Sequence, residues 1–568
     1  MASAAPANIQ KGGQSDPLNG DDPNGVGETE VLSGSQKLHR KLRGREVQLF
    51  AVGGAIGTSL FVQMGAALPK GGPAGLFIGF MAYGTIALAV NECFAEIVCY
   101  MPIPSPFVRL AGHWVDDALS FAMGWNYFLA MALNIPYEIV AINVLLTYWT
   151  DKVPAAAVVV IAMAIFGILN VLTVRYFGVA EFYLSFFKIF LMLGLFLYTI
   201  VTMVGGNPHR DAIGFRYWND PGAFVSHLVP GDTGRFLGIL SCMIQGAFTI
   251  TMGVLMVMRA GRIVGPEFIS MAAGESERPR RVMRKAFASF GWRLMFFFCM
   301  GALCVGIVIP SNDPTLAAML DGTKQGRGTG AASPYVISMN HFGIQVLPDI
   351  VNVLIMTSVL SAGNNVVFSA SRTLYGMSLE NKAPKWVSKT NRAGLPYNAV
   401  AIAMAFCLLG FLQVSNSSAT VLNWLVSCIA GSYLLNYFGT CITYLHFYAS
   451  LRRQGISRDN FPYRGRFQPY TAWYALCGTG VMVLVLGYNV FLSGGWDLKS
   501  FFLSYVIIGV LRAHFRVLGG YSDARDTWGI GKADLQLGSI KREIDEYEEV
   551  EYARRRGKPV ALLDRLFD

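Results

Sequence analysis

Residues whose types and spacing suit chemistry fall into a few short groups. One is the run Gly53-Gly54-Ala55-Ile56-Gly57-Thr58-Ser59, set early in an apolar stretch. Glycines there permit an interrupted helix, whose free N–H groups carry partial positive charge and suit a carboxylate. Close packing of two helices through small residues would use the same glycines, and glycine content alone does not separate the two readings. A second group is Gly265-Pro266-Glu267. Pro266 removes a backbone donor and clashes with the preceding turn, and Glu267 sets a carboxyl beside an otherwise apolar stretch. Read alone, Glu267 also fits a charged flank shared with Glu275 and Glu277.

Glu138, within Pro136-Tyr137-Glu138, is an isolated carboxyl in a long apolar run. A charge there is expensive, so the group titrates or pairs, and a buried carboxyl that favours its neutral form is a candidate proton carrier. Its structural alternative is a hydrogen bond to Asn126, Asn134 or Asn143. Glu92 and Glu96 approach the end of a span and read as wet. His113, His341 and His446 sit near span ends, and none of the seven histidines has metal-ligand spacing. The nine cysteines include no CxxC pair and read as small buried hydrophobes, with no disulfide framework.

Broken backbone inside hydrocarbon survives only where it lines a cavity, so these residues need a helical bundle around them. Of 568 residues 53% are hydrophobic and 14% charged, against about a quarter charged in soluble domains. A hydrocarbon core about 30 Å thick needs roughly 20 largely apolar residues per helix. Candidate spans are Val47–Leu68, Ala74–Met101, Leu119–Trp149, Pro154–Val174, Leu184–Val204, Phe236–Met258, Phe287–Ile309, Phe342–Thr373, Ala399–Gln413, Ala419–Tyr448, Ala472–Leu492 and Phe501–Phe515. The ninth and twelfth are short. The expected fold is all-α, a polytopic membrane helix bundle of about twelve spans.

The net charge of +10 is spread in short patches between apolar runs, which points to a membrane surface and away from nucleic acid. Lys37, Arg40, Lys41, Arg43 and Arg45 precede the first span, Arg278, Arg280, Arg281, Arg284 and Lys285 follow the sixth, and Arg452, Arg453, Arg458, Arg464 and Arg466 follow the tenth. Basic residues concentrate in short cytoplasmic loops, so this alternation implies an even span count with both termini in the cytoplasm. Residues 1–46 read as a disordered N-terminal segment without an apolar signal, 47–517 as the membrane domain, and 518–568 as a solvated cytoplasmic tail.

Residues Leu38 to about Arg466 resemble the fungal amino-acid permeases of the amino acid–polyamine–organocation superfamily. The motifs are GGAIGTSLFVQMGAALPKGGPAG from Gly53, FGVAEFYLSFFKI from Phe177, GPEFISMAAGESERPRR from Gly265 and SAGNNVVFSASRTLYGMSLENKAPKW from Ser361. The resemblance implies twelve spans, a 5+5 inverted repeat with broken first and sixth helices, and amino-acid import at the plasma membrane coupled to inward proton flow. It implies no cofactor. Ala55, Ile56, Gly57, Thr58 and Ser59 would bind the substrate's α-carboxylate. Phe248, Thr249, Gly265, Pro266 and Glu267 would face its amino group. Glu138 is similar to an acidic position tied to substrate preference or proton handling, with Glu267 a second candidate for that coupling. Ser361, Asn364 and Asn365 would lie beside the same cavity and Trp424 would help to wall it. Outside the segment discussed next, no Lys or Arg within a span stands out as a partner for a substrate side-chain carboxylate. A nutrient sensor that binds amino acids with little flux is the competing function, and no zinc motif, nucleophile elbow or paired intramembrane Asp supports an enzyme.

The chain departs from the family at Met252 to Val264, where relatives run directly into Gly-Pro-Glu. Pro104 and Pro106 replace a small or glycine-containing turn, and the stretch from Leu511 to Trp528 shortens the last span. The extra segment would separate Phe248 from Glu267 by several helical turns and bring in Arg259 and Arg262. A retained intron would produce it, so sequencing of the transcript is expected to find messages lacking these codons; their presence in every message would defeat that origin.

Overall fold

The computed structural model describes residues 63–102, 106–150, 152–171, 174–252, 279–320, 333–391 and 395–519. The expectations on Ala55 to Ser59, on Gly265, Pro266 and Glu267, on Val264 and the rest of the extra segment past Met252, on Pro104, and on both terminal segments lie outside these residues. Everything below belongs to the unit Leu38–Asp568.

Among the described residues every regular element is a helix. In chain order these are α1 (Met64–Tyr100), α2 (Pro106–Trp114), α3 (Asp117–Leu146), α4 (Ala155–Val171), α5 (Val174–Met203), α6 (Asp232–Met252), α7 (Pro279–Ala288), α8 (Phe290–Arg293), α9 (Met300–Val308), α10 (Pro314–Leu320), α11 (Pro334–His341), α12 (Leu347–Leu379), α13 (Tyr397–Ala405), α14 (Leu412–Ser415), α15 (Ser418–Arg453), α16 (Tyr470–Val485) and α17 (Leu498–Gly519). The stretches Met64–Tyr100, Asp117–Leu146, Met283–Val308, Leu347–Leu379, Tyr397–Ser415 and Ser418–Arg453 are long and apolar enough to cross a bilayer, and Ala155–Asn170, Phe190–Met203 and Tyr470–Val485 are shorter apolar helices.

Several span boundaries shift from those expected. The ninth span runs Tyr397–Ser415, because a 3-10 stretch at Phe406–Phe411 carries the chain on between α13 and α14. The last helix reaches from Leu498 to Gly519, 22 residues, longer than the run of apolar side chains had implied. The eighth begins at Leu347 rather than Phe342. Gly343 turns there with φ +68°, a region that favours glycine, and Pro348 in the first turn suits a helix start.

The axis of the bundle is α3, antiparallel to both α12 and α15. Asp116 caps its start, accepting from the Leu119 N–H at 2.6 Å. Near that end Trp125 Nε1 donates to the Lys382 carbonyl past the end of α12, at 3.1 Å. At the other end Asn352 of α12 donates to the Leu145 carbonyl at 3.1 Å, and Asn143 donates to Ser418 Oγ of α15 at 3.0 Å. Outside this core, Phe187, Phe190, Leu193, Leu197, Ile200 and Val204 are exposed at helical spacing along one face of α5. A continuous apolar stripe of this kind faces lipid, and the protein is integral to the membrane.

Helix α1 turns sharply at Gly72, where φ is +73° and ψ 175°. The turn is paired with the loop before α6: Ala74 N–H donates to the Ala223 carbonyl at 2.9 Å and Val225 N–H to the Gly71 carbonyl at 3.3 Å. Gly71, Gly75 and Gly79 recur every four residues and open a smooth groove into which α6 fits. A Cβ on Gly79 would stand 2.6 Å from Cys242 Cβ and 2.9 Å from the Met243 backbone nitrogen, and one on Gly71 would collide with Cys242 Sγ. Gly194 of α5 has nothing within 4 Å. Gly79→Val is therefore expected to lower stability by about 1–3 kcal/mol through overpacking. Melting in detergent should show a clear fall for Gly79→Val and little change for Gly194→Val.

Candidate functional site

Where α1, α3 and α6 meet, the polar side chains form a relay. Gln63, at the start of α1, donates through Nε2 to the Tyr137 hydroxyl at 3.2 Å, and Gln245 Nε2 donates to Gln63 Oε1. One turn along α6, Phe248 meets Tyr137 edge to face, with ring centroids 5.2 Å apart and planes at 69°. Phe248, Thr249 and Tyr137 are all fully buried. Phe248, chosen from the sequence, thus adjoins the residue next to Glu138.

Glu138 itself is buried, with 3% of its surface exposed. Two of the amides considered as its partners are committed elsewhere. Asn126 Nδ2 donates to the Ser432 carbonyl of α15 at 2.8 Å, and Asn143 Nδ2 to Ser418 Oγ.

A second polar group lies where α12 packs against α4 and α5. Ser361 Oγ accepts from Lys188 Nζ of α5 at 3.0 Å, and Asn364 Oδ1 accepts from Asn170 Nδ2 of α4 at 2.7 Å. Lys188 is 2% exposed. This corrects the expectation that no spanning Lys or Arg lies at hand: the lysine of Ser185-Phe186-Phe187-Lys188 sits inside a matched motif and its burial went unread. The expected span, Leu184–Val204, set Lys188 one turn from its start, where a lysine can reach the interface; the helix in fact begins at Val174 and puts Lys188 near its middle.

Asn365, the next residue on α12, is 1% exposed, and neither end of its carboxamide has a hydrogen-bond partner among the described residues. Asn436 on α15, at 3% exposure, is in the same condition. Both helices pack on α3. A buried amide without partners costs about 1–3 kcal/mol, so such groups persist where something else satisfies them. Asn436 was not singled out from the sequence, where it is one polar residue in a long helix.

Two further expectations change. Trp424 carries Lys499 Nζ of α17 at 3.3 Å from its ring centroid, so its ring face meets the last helix. Glu96 is fully buried, and Glu92 is partly buried; both accept hydrogen bonds from the loop after α15. Of the cysteines, Cys477 is exposed and Cys428 partly so, while the other seven are buried as expected. His341 Nδ1 lies 3.6 Å from Asp313 on the far connections, and no cluster with metal-ligand character occurs among the described residues.

Residues 46–515 match a family model described as amino acid permease. The chain is 41% identical over 501 residues to the general amino acid permease AGP2 of Saccharomyces cerevisiae, covering 87% of this chain and 80% of that protein. It is 34% identical to the proline-specific permease of the same yeast (94% and 83% covered) and 32% identical to its dicarboxylic amino acid permease (90% and 82%). Among solved structures, a manganese transporter of Eremococcus coleocola superposes with a TM-score of 0.53 at 15% identity, covering 90% of this chain and 99% of that one; this likeness is one of fold.

Replacing Asn365 by Leu, similar in shape and without polar atoms, separates stability from function. Asn365→Leu is expected to melt no lower than the parent, since it removes an unpartnered buried amide. Its KM for solute uptake should rise about tenfold, the equivalent of ~1.4 kcal/mol of lost ligand hydrogen bonding. Unchanged uptake would remove Asn365 from the site.

Proposed function

Because this chain belongs to the amino acid permease family, we propose that it imports amino acids across the plasma membrane by proton symport, with both termini in the cytoplasm. Amino-acid transport follows from the family; direction, coupling and site are our reading. The observation that carries it is the pair of buried carboxamides, Asn365 and Asn436, that have no partner among the described residues and sit on two helices flanking α3. In a hydrocarbon-surrounded bundle such groups have no water to turn to, and a polar solute is the natural complement.

In this reading the N–H groups and hydroxyls of Ala55, Ile56, Gly57, Thr58 and Ser59 receive the α-carboxylate. Phe248, Thr249, Gly265, Pro266 and Glu267 face the ammonium, and Ser361 and Asn364 line the side of the pocket. The Gln63–Tyr137–Gln245 relay, backed by Phe248, closes the pocket where the first and sixth spans meet α3. Rocking of one helix group against the other exposes the site to alternate sides. Recognition through the two backbone-derived groups common to all amino acids favours a broad range of side chains.

Proton coupling requires a buried group that gains and loses charge during the cycle. Glu138 and Glu267 are the acidic candidates. Lys188, buried and donating to Ser361, lies on the wall of the same pocket in this reading.

Purified protein in vesicles with an acid exterior should accumulate labelled neutral amino acids above equilibrium, and dissipating the gradient should abolish the excess. Binding without accumulation would favour a sensor. Glu138→Gln is expected to retain exchange of bound for free amino acid while losing gradient-driven accumulation by at least tenfold. Gly57→Leu, shown to reach the cell surface, should lose uptake altogether, and wild-type uptake in that variant would move the carboxylate site elsewhere.

A further inference from the structure

The loop between α15 and α16, residues 454–469, is clasped to the end of α1 by two carboxylates one turn apart, hence on one face of that helix. Glu96 accepts from Arg458 Nε at 2.5 Å and Nη2 at 2.7 Å, from the Tyr444 hydroxyl at 3.0 Å and from the Gly465 N–H at 2.9 Å. Glu92 accepts from the Tyr463 hydroxyl at 3.0 Å and from the Arg466 N–H at 3.1 Å. Burial, and then the neighbouring Glu92 carboxylate, push the Tyr463 phenol up, so it stays a donor. Aromatic rings close the clasp from beneath: Phe461 lies 4.7 Å from Tyr100, and Phe447 lies 4.4 Å from Trp114, centroid to centroid. One short loop thus ties the ends of α1, α2 and α15 together.

Next to the arginine at its centre stands Ser457, an exposed residue on the turn that opens the loop. Its Oγ donates to Asp459 Oδ2 at 2.8 Å and accepts the Asp459 N–H at 3.2 Å, setting the short 3-10 turn Arg458–Asn460. Exposed Arg452 and Arg453 precede it by five and four residues, and Arg458 follows it. An accessible serine on a turn, flanked by arginines on both sides, is the kind of acceptor a basic-directed kinase reads. The turn places any charge added to Oγ beside Asp459, and one residue before Arg458 in the chain.

We propose that Ser457 is a phosphorylation site through which a basic-directed serine kinase releases this clasp. The inference goes beyond transport itself and relies on the cytoplasmic placement of the loop given above. Ser457 Oγ attacks the γ-phosphorus of ATP. The new O–P bond forms as the bond from that phosphorus to the β–γ bridging oxygen breaks, ADP leaves, and the hydroxyl proton passes to the kinase's base. The product carries close to two negative charges and three strong acceptors. Asp459, formerly bonded to the hydroxyl, now repels it. Arg458 offers the phosphate the same planar fork it gives Glu96. When the guanidinium turns outward, Glu96 loses its two charged donors in a site sealed from water, and Gly465 and Arg466 lose their hold on α1.

The test uses full-length protein with phosphoserine installed at position 457 by suppression, beside the parent and Ser457→Ala. Hydrogen exchange of the 454–469 peptide in detergent reads the clasp directly. Exchange of the Gly465 and Arg466 amides is expected to quicken at least tenfold in the phosphorylated protein, with parent and Ser457→Ala equally slow. Arg458→Gln, which empties the clasp without phosphate, should quicken exchange by itself and leave phosphoserine little to add. In vesicles, the initial rate of amino-acid uptake should change at least threefold with phosphoserine alone. Phosphopeptides bearing Ser457 should be recovered from cells under nitrogen-rich or nitrogen-starved growth. Unaltered exchange in the phosphorylated protein overturns the release mechanism, and absence of the phosphopeptide from both growth conditions overturns the modification. Quickened exchange in a protein that carries no solute would uphold this inference and count against the transport reading instead.

Discussion

Everything in this molecule is arranged under one constraint: inside hydrocarbon, each polar group must find a partner within the protein or be kept for something that arrives. Most find one. Asn143, Asn352 and Trp125 spend their donors on stitching α3 to its neighbours at both ends. Ser369, Thr373, Thr440, Thr443 and Ser450 return theirs to carbonyls four residues back, at 2.9 Å each. Against that background Asn365 and Asn436 are the two buried asparagines among the described residues whose carboxamides lack a partner at both ends, and they sit on the two helices that embrace the central one.

The same constraint bears on Lys188 and Glu96, two of the buried charged residues among those described. Lys188 donates to a serine, and Glu96 accepts from an arginine, a tyrosine and a backbone N–H.

Much of the fold was legible in the sequence, because a run of about twenty apolar residues has few other uses. Legibility failed where local composition and tertiary use diverge. The ninth span looked short because Gln413 and Ser415 end its apolar run, yet the backbone continues as helix to Ser415. Glu96 looked wet from its place near a span end, and only the fold brings Arg458, 362 residues away, onto it. Lys188 was hidden by its neighbours, and Asn436 by the ordinariness of an asparagine in a long helix. Trp424 was assigned to the pocket wall on resemblance, whereas a lysine from α17 covers its ring. Of the candidate site, the side chains on α3, α6 and α12 could be named in advance; what they bond to could not, since partners come from helices far along the chain.

The groove formed by Gly71, Gly75 and Gly79 has one more implication. Backbones that interlock this closely, with Gly238 abutting Gly71 and Lys70, cannot slide along one another without riding over their own atoms. The interlock opposes shear between α1's opening turns and α6 and favours their moving as a single lever, with flexure displaced to where each chain leaves it.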